Sequence, residues 1–206
     1  MIDVIHNPVA GPKVVNRIDR VRSYLSAHGL PFRIRETAAP GEAVVMAREA
    51  ALEGADAVVA VGGDGTMNEV ADGLAGSATR LAFVPHGTGN VFAREFSLPE
   101  SVEGCLDLLS SGKTISVRMA KANDRRFVLL ASAGFDAEVV ERMNPRQKNL
   151  LGIAAYVLCG ARHLLRSQPT LWLEFPDRER VEAQAVIVVR GKKYGGNVTI
   201  APGGDI

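Results

Sequence analysis

Residues Val58–Leu74, VVAVGGDGTMNEVADGL, restrict what this chain can become more than any other stretch. An apolar run, Ala57–Val61, leads into Gly62-Gly63-Asp64-Gly65-Thr66, and Met67, Val70, Ala71 and Leu74 then recur at helical spacing. The pattern is that of a buried strand, a glycine-rich turn and a helix. Glycines let a ligand come close to the backbone, and the N–H groups that open a helix suit an anion, most often a phosphate. The stretch is therefore read as a nucleotide phosphate site. It lacks the lysine of a Walker loop, and Asn68 stands where a dinucleotide fingerprint needs its third glycine. The charged residue of the turn, Asp64, is itself an anion. Beside phosphates it calls for a cation between, and Mg2+ takes carboxylate, water and phosphate oxygens together. The economical alternative is a tight strand–helix connection with Asp64 as a helix cap.

The surrounding chain repeats the strand–helix alternation. Ile2–His6, Pro31–Glu36, Ala57–Val61 and Arg80–Val84 read as strands. Lys13–His28, Glu42–Glu53, the helix after Thr66, a short helix through Phe96 and Pro99–Leu109 read as helices between them. Such alternation predicts a parallel sheet covered on both faces, with ligands at the carboxyl ends of the strands. The loops Asn7–Gly11, Thr37, Gly62–Thr66 and Gly87–Asn90 all fall at those ends. After Gly112 the pattern becomes strand-rich: Thr114–Ala120 with Arg125–Ser132, and Thr170–Phe175 with Val181–Arg190, read as hairpins. Val198–Ala201 reads as a late strand, and Ala137–Met143 and Lys148–Arg166 as helices. The expected fold class is α/β: a nucleotide-binding parallel-sheet domain over residues 1–112, then a β-rich α+β domain over 113–206.

Composition narrows the function classes. Of 206 residues, 47% are hydrophobic and 23% charged, as in soluble globular chains. A net charge of +1 gives no electrostatic argument for nucleic acid. Leu150–Gly160, the longest apolar run, is far below the about 20 residues that span a bilayer. Peripheral contact with a membrane surface stays open, and Met1–Ile5 is too short for a signal peptide. Cys105 and Cys159 lie apart in apolar helical patterns, as buried free thiols of a reducing compartment do.

GGDGTMNEV at Gly62–Val70 and PHGTGNVFAR at Pro85–Arg94 resemble the catalytic domain of the diacylglycerol kinase and sphingosine kinase superfamily, closest to its bacterial lipid kinases. HNPVAG at His6–Gly11, SAGFDAEVV at Ser132–Val140, KNLLGIAAYV at Lys148–Val157 and YGGNVTIAP at Tyr194–Pro202 extend the likeness over nearly the whole chain. The resemblance implies an ATP-dependent kinase of a lipid hydroxyl, such as that of diacylglycerol. It implies a fold like that of NAD kinases in the first half and a lipid-holding β-rich second half, with the active site between them. It also implies the site residues. Asn7, Pro8, Val9, Ala10, Gly11, Thr37, Gly62, Gly63, Asp64, Gly65, Thr66, Met67, Asn68 and Thr88 match nucleotide contacts. Asp64 matches the carboxylate that works with Mg2+, and Asp205 matches one ligand of a structural Mg2+ site. Glu69 is either a support for Asp64 or a surface glutamate. Lys148 matches a family lysine facing the anionic cleft, or is a solvated charge. Asp136 is a cleft carboxylate or the cap of the helix that follows it.

The family's catalytic carboxylate belongs to a segment beyond the position of Ile206. The chain is thus expected to be C-terminally incomplete, or a diverged short protein, with little or no kinase activity by itself. An NAD kinase-like small-molecule kinase, and a non-catalytic nucleotide- or lipid-binding module, are the alternatives. The Lys148–Arg166 helix is buried in the second domain, or partly lines an acyl groove with its basic ends toward anionic headgroups. His86 is expected to pack within its loop. A cytoplasmic protein, peripheral at the inner membrane surface and open to homodimer formation, completes the expectation.

Overall fold

A computed structural model describes residues 1–11, 16–141, 170–194 and 198–204. Strands β1 (Ile2–His6), β2 (Phe32–Glu36), β3 (Ala57–Gly62) and β4 (Arg80–Pro85) form one parallel sheet in the order β2-β1-β3-β4. Ile2 lies opposite both Phe32 and Ala57, and Ala57 opposite Arg80. The inner strands β1 and β3 are buried along their whole length; β3 is accordingly a continuous apolar run, while β1 carries two buried polar residues, Asp3 and His6. Successive residues feed two separate cores. Val4, Val59, Val61 and Val84 meet α1 (Arg17–Ala27) and α5 (Val102–Ser110) through Val21, Leu25, Val102 and Leu106. Ile5, Val58, Ala60 and Phe83 meet α2 (Glu42–Leu52), α3 (Asp64–Leu74) and α4 (Val91–Glu95) through Ala43, Ala47, Met67, Val70 and Ala93.

The strand order reverses direction between β1 and β3, which places a switch point, and hence a crevice, at their carboxyl ends. Element boundaries follow their caps. The Asn16 side chain accepts from the Asp19 N–H at the start of α1, and that of Ser101 from the Gly104 N–H at the start of α5. The last helix therefore opens at Val102 and not at Pro99.

The second half is β-rich. β5 (Ala120–Ala122) and β6 (Arg125–Phe127) make a hairpin over Asn123 in left-handed conformation. β7 (Leu130–Gly134) leads into α6 (Phe135–Glu141). β8 (Leu171–Phe175) pairs with β9 (Arg178–Ala183), and β10 (Ala185–Val189) crosses back to pair antiparallel with β7. β11 (Lys193–Tyr194) pairs with β12 (Val198–Thr199).

Two expected hairpins differ from what forms. Residues 113–119 build no strand, because Val117 and Met119 pack onto the α2–α4 core instead of alternating across a sheet. Val181–Arg190 splits at Gln184, whose carbonyl accepts the Phe135 N–H and whose two flanks join different partners. The expected helix Lys148–Arg166 and the turn Gly195–Asn197 lie outside the described residues. Among the described residues, no helix is long and apolar enough to cross a membrane. Cys105 is buried, its thiol contacts the Pro99 carbonyl, and burial pushes it up to about 11, so it is an unreactive thiol.

One charged group penetrates the core. Asp3 on β1 is fully buried and accepts from Arg33 Nε, Arg33 Nη2 and Arg35 Nε of the neighbouring strand β2. The two arginines reach on to Glu53 and Glu49 of α2, at 2.6 and 2.9 Å. The network thus ties edge strand, central strand and helix, and it holds the Arg33 guanidinium well above its usual range. Removing the buried carboxylate takes from Arg33 and Arg35 their shared partner and leaves them Glu53, Glu49 and the Met46 carbonyl. Asp3→Ala is expected to cost about 3–5 kcal/mol, read as a lower urea midpoint at unchanged m-value. A loss below 1 kcal/mol would show that solvent already satisfies the arginines.

Candidate active site

Three loops meet at the carboxyl edge of the sheet. The first, Asn7–Gly11, follows β1. Asn7 Oδ1 accepts the Val9 N–H at 3.1 Å and Asn7 Nδ2 donates to Thr66 Oγ1 at 3.1 Å, so the loop is stitched to the first turn of α3. Gly11 has φ +70°, and a Cβ there would collide with the His86 carbonyl. Only glycine lets this loop lie against the third one.

The second loop is shorter than its sequence suggests. β3 runs through Gly62 and α3 already begins at Asp64, so Gly63 is the N-cap and Gly65 and Thr66 are helical. Gly63 has no side chain to cap with. Among the described residues, the N–H groups of Gly65 and Thr66 have no hydrogen-bond partner. They are the open end of a helix dipole at the switch point of the sheet. Thr66 is buried and its side chain turns back over Gly62.

The third loop, His86–Asn90, follows β4. The His86 N–H donates to the Gly62 carbonyl at 2.6 Å, extending the β3–β4 pairing by one residue. Gly87 lies directly against Gly63: a Cβ on Gly87 would stand 2.7 Å from the Gly63 Cα. Asn90, at φ 45°, closes the loop by exchanging two hydrogen bonds with the Gly87 backbone, at 2.8 and 2.9 Å. Thr88 is half-buried in the middle of it.

Asp64 joins the second and third loops. Its carboxylate caps a helix, but that helix is α4: Oδ2 accepts the Val91 N–H and Oδ1 the Phe92 N–H, both at 3.0 Å. Each oxygen keeps a further lone pair. Glu69 does not support Asp64. Both its oxygens accept the Gly41 N–H at 3.0 Å, capping α2 after the Thr37 loop. Thr37 itself is held to the sheet, its N–H donating to the His6 carbonyl. The Asn68 side chain, read from the sequence as a nucleotide contact, is directed to the backbone of residues 126–128 instead. Met67 is wholly buried in the core, so any contact it makes with a nucleotide runs through its backbone. Pro8 and Val9 are exposed at the rim and Ala10 is half-buried.

The remaining expected residues sit elsewhere. Asp136 lies inside the first turn of α6 and not before it, since the helix opens at Phe135. Lys148 and Asp205 lie outside the described residues. Sequence reasoning missed the capping partners of Glu69 and Asp64, because both are long-range and no local pattern announces them.

The site can take a phosphate chain with its cation. Among the described residues no cluster of three or more His, Cys, Asp or Glu side chains could hold a metal alone. One carboxylate beside free N–H groups would instead suit Mg2+ arriving with a nucleotide, whose phosphates and waters would supply the other ligands.

His86 is buried below this edge. Burial pushes its imidazole down from the usual histidine value, and the charges of Arg17 and His6 push the same way. A lowered folded value means that the unfolded chain binds the proton more readily. The stabilising contribution is therefore complete above pH about 6.5 and is lost as pH falls through the lower folded value. Urea midpoints should decline from pH 7.5 toward 5, and His86→Gln should flatten that decline. An unchanged slope in the variant would assign it to other groups.

The comparisons with known proteins show the family and the fold. The family model for the diacylglycerol kinase catalytic domain matches residues 2–122. The chain is 31% identical over 192 residues to a diacylglycerol kinase of Staphylococcus haemolyticus, covering 91% of this chain and 58% of that protein. It is 30% identical over 192 residues to a YegS-like lipid kinase of Cronobacter sakazakii, covering 86% of this chain and 62% of that one. The crystal structure of a diacylglycerol kinase from Bacillus anthracis str. Sterne superposes with a TM-score of 0.73 at 27% identity, covering 99% of this chain and 69% of its own. The chain spans between 39% and 62% of the length of the curated relatives it matches first.

Proposed function

This chain belongs to the diacylglycerol kinase catalytic-domain family, and from that premise we propose that it provides the nucleotide site of an ATP-dependent lipid kinase. The observation that carries the reading is the uncapped start of α3, with the Gly65 and Thr66 N–H groups free at the β1/β3 switch point. The phosphates of ATP would lie along that helix end, walled by Asn7–Gly11 on one side and by Gly87–Asn90 on the other. Thr37 borders the same crevice, and Thr88 offers a hydroxyl and an N–H to it. Mg2+, when bound, neutralises charge that develops on the transferred phosphoryl group. The part of this chain is positional: Asp64 has one free lone pair on each oxygen for the cation, while its bonds to Val91 and Phe92 fix where the third loop stands. Phosphoryl transfer depends mainly on such placement and neutralisation.

The acceptor in this reading is the hydroxyl of diacylglycerol or a related lipid, held by the β-rich half. A lipid acceptor would be met at a membrane surface, which makes peripheral association part of the proposal. The names of the Staphylococcus and Cronobacter relatives support the lipid class. The Gly62–Val70 and Pro85–Arg94 segments favour it over an NAD acceptor.

Titration calorimetry with ATP tests the first step. One site is expected in the presence of Mg2+, with affinity falling at least about tenfold, or about 1.4 kcal/mol, when the cation is chelated or in Asp64→Asn. Circular dichroism should confirm that the variant keeps its fold. A wild-type chain that binds no Mg·ATP would end the proposal.

A further inference from the structure

Helix α3 carries a polar stripe that begins at the phosphate site and runs on beyond it. Asp64, Asn68 and Asp72 follow one another at intervals of four, on one face. Asp64 holds the start of α4. Asp72, nearly buried, pairs with the Arg126 guanidinium at 3.2 Å. Between them the Asn68 carboxamide makes two backbone bonds: Nδ2 donates to the Arg126 carbonyl at 3.0 Å, and Oδ1 accepts the Val128 N–H at 3.0 Å. A carbonyl at one residue and an N–H two residues on point the same way along an extended chain. They lie on the side of β6 turned from its partner β5, so Asn68 stands where a third strand would continue the ladder. A side-chain amide suits that place because it offers a donor and an acceptor together, and an aspartate cannot donate.

The anchored segment is the start of the acceptor half. Phe127, Val128 and Leu129 are buried, and β7 begins one residue later. The same helix presents its free N–H groups to the crevice one turn before Asn68. We propose that Asn68 is a positioning residue: it registers the β-rich half against the phosphate-binding end of α3, and phosphate held there tightens the clip. The proposal rests on the nucleotide reading of that helix end. The clip is the only side-chain amide among the described residues that joins α3 to β6, and Arg126–Asp72 braces it one turn further along.

The test follows amide exchange at Val128 and across 126–134, with and without Mg·ATP, in the 206-residue chain and in Asn68→Asp and Asn68→Ala. The isosteric Asn68→Asp keeps the volume and sets a carboxylate against the Arg126 carbonyl. In the apo chain, both variants are expected to speed Val128 exchange at least about tenfold. In the wild-type chain, Mg·ATP is expected to slow it about fivefold, and both variants should lose that protection. Reciprocity then limits their loss of Mg·ATP affinity to the same few-fold.

Other outcomes overturn the proposal. A much larger affinity loss with unaltered Val128 exchange would make Asn68 a direct nucleotide contact. Faster exchange in the variants without protection by Mg·ATP in the wild-type chain would leave only a structural tie. Unchanged exchange would remove the clip altogether. If the wild-type chain binds no Mg·ATP, the nucleotide reading fails and the positioning role falls with it, while the apo exchange rates still decide whether the clip exists.

Discussion

Asp64 accepting the N–H groups of Val91 and Phe92 is the contact from which the geometry of the site follows. The two residues that open α4 belong to the loop after β4, and the carboxylate belongs to the first turn after β3. That contact adds to the His86–Gly62 backbone bond and the close approach of Gly63 and Gly87 in holding together the loops that end two adjacent strands. With it, the carboxylate in the first turn of α3 is directed to the backbone N–H groups that open α4, while Gly63 gives α3 no side-chain cap. The two helix ends are thereby given different tasks, one closed on protein and one open toward the crevice. A charge in a glycine turn serves as a strut first, and its remaining lone pairs are what a cation can use.

The same helix organises a wider circle. Glu69 caps α2 through Gly41, and Asn7 reaches Thr66, so the loops after β1 and β2 are also referred to α3. At the opposite end of the sheet, the Asp3–Arg33–Arg35 cluster fastens the edge strand β2 to α2. One end of the domain is therefore held by a buried ionic cluster and the other by capping bonds to backbone. Among the described residues, Asp64 is the one charged side chain in the first turn of α3.

Much of the first half was legible in the sequence because its signals are local. The continuous apolar run of β3, the spacing of Met67, Val70 and Leu74, and the stop at Gly29 are each decided within a few residues. The loops that form the candidate site were legible for the same reason: they follow directly from where four parallel strands end. The β-rich half was less so, because its pairings are decided across long separations. Residues 114–119 alternate in the manner of a strand, yet Val117 and Met119 find an existing core before any partner strand. Nothing near Gln184 marks that β9 turns to β8 while β10 joins β7. The Asn68 and Glu69 side chains are ties to distant backbone, which no spacing rule reveals.

Gly63 and Gly87 touch through their main chains. A Cβ on Gly87 would stand 2.7 Å from the Gly63 Cα, so this close approach and the Asp64 bonds to Val91 and Phe92 together set the distance from the open end of α3 to the loop after β4. The field of the helix end reaches across it through protein and not through water, at lower dielectric and with less screening by salt. The hydrogen atom that stands for a methyl group at Gly87 is thus what brings the helix end and the loop within electrostatic reach of one another.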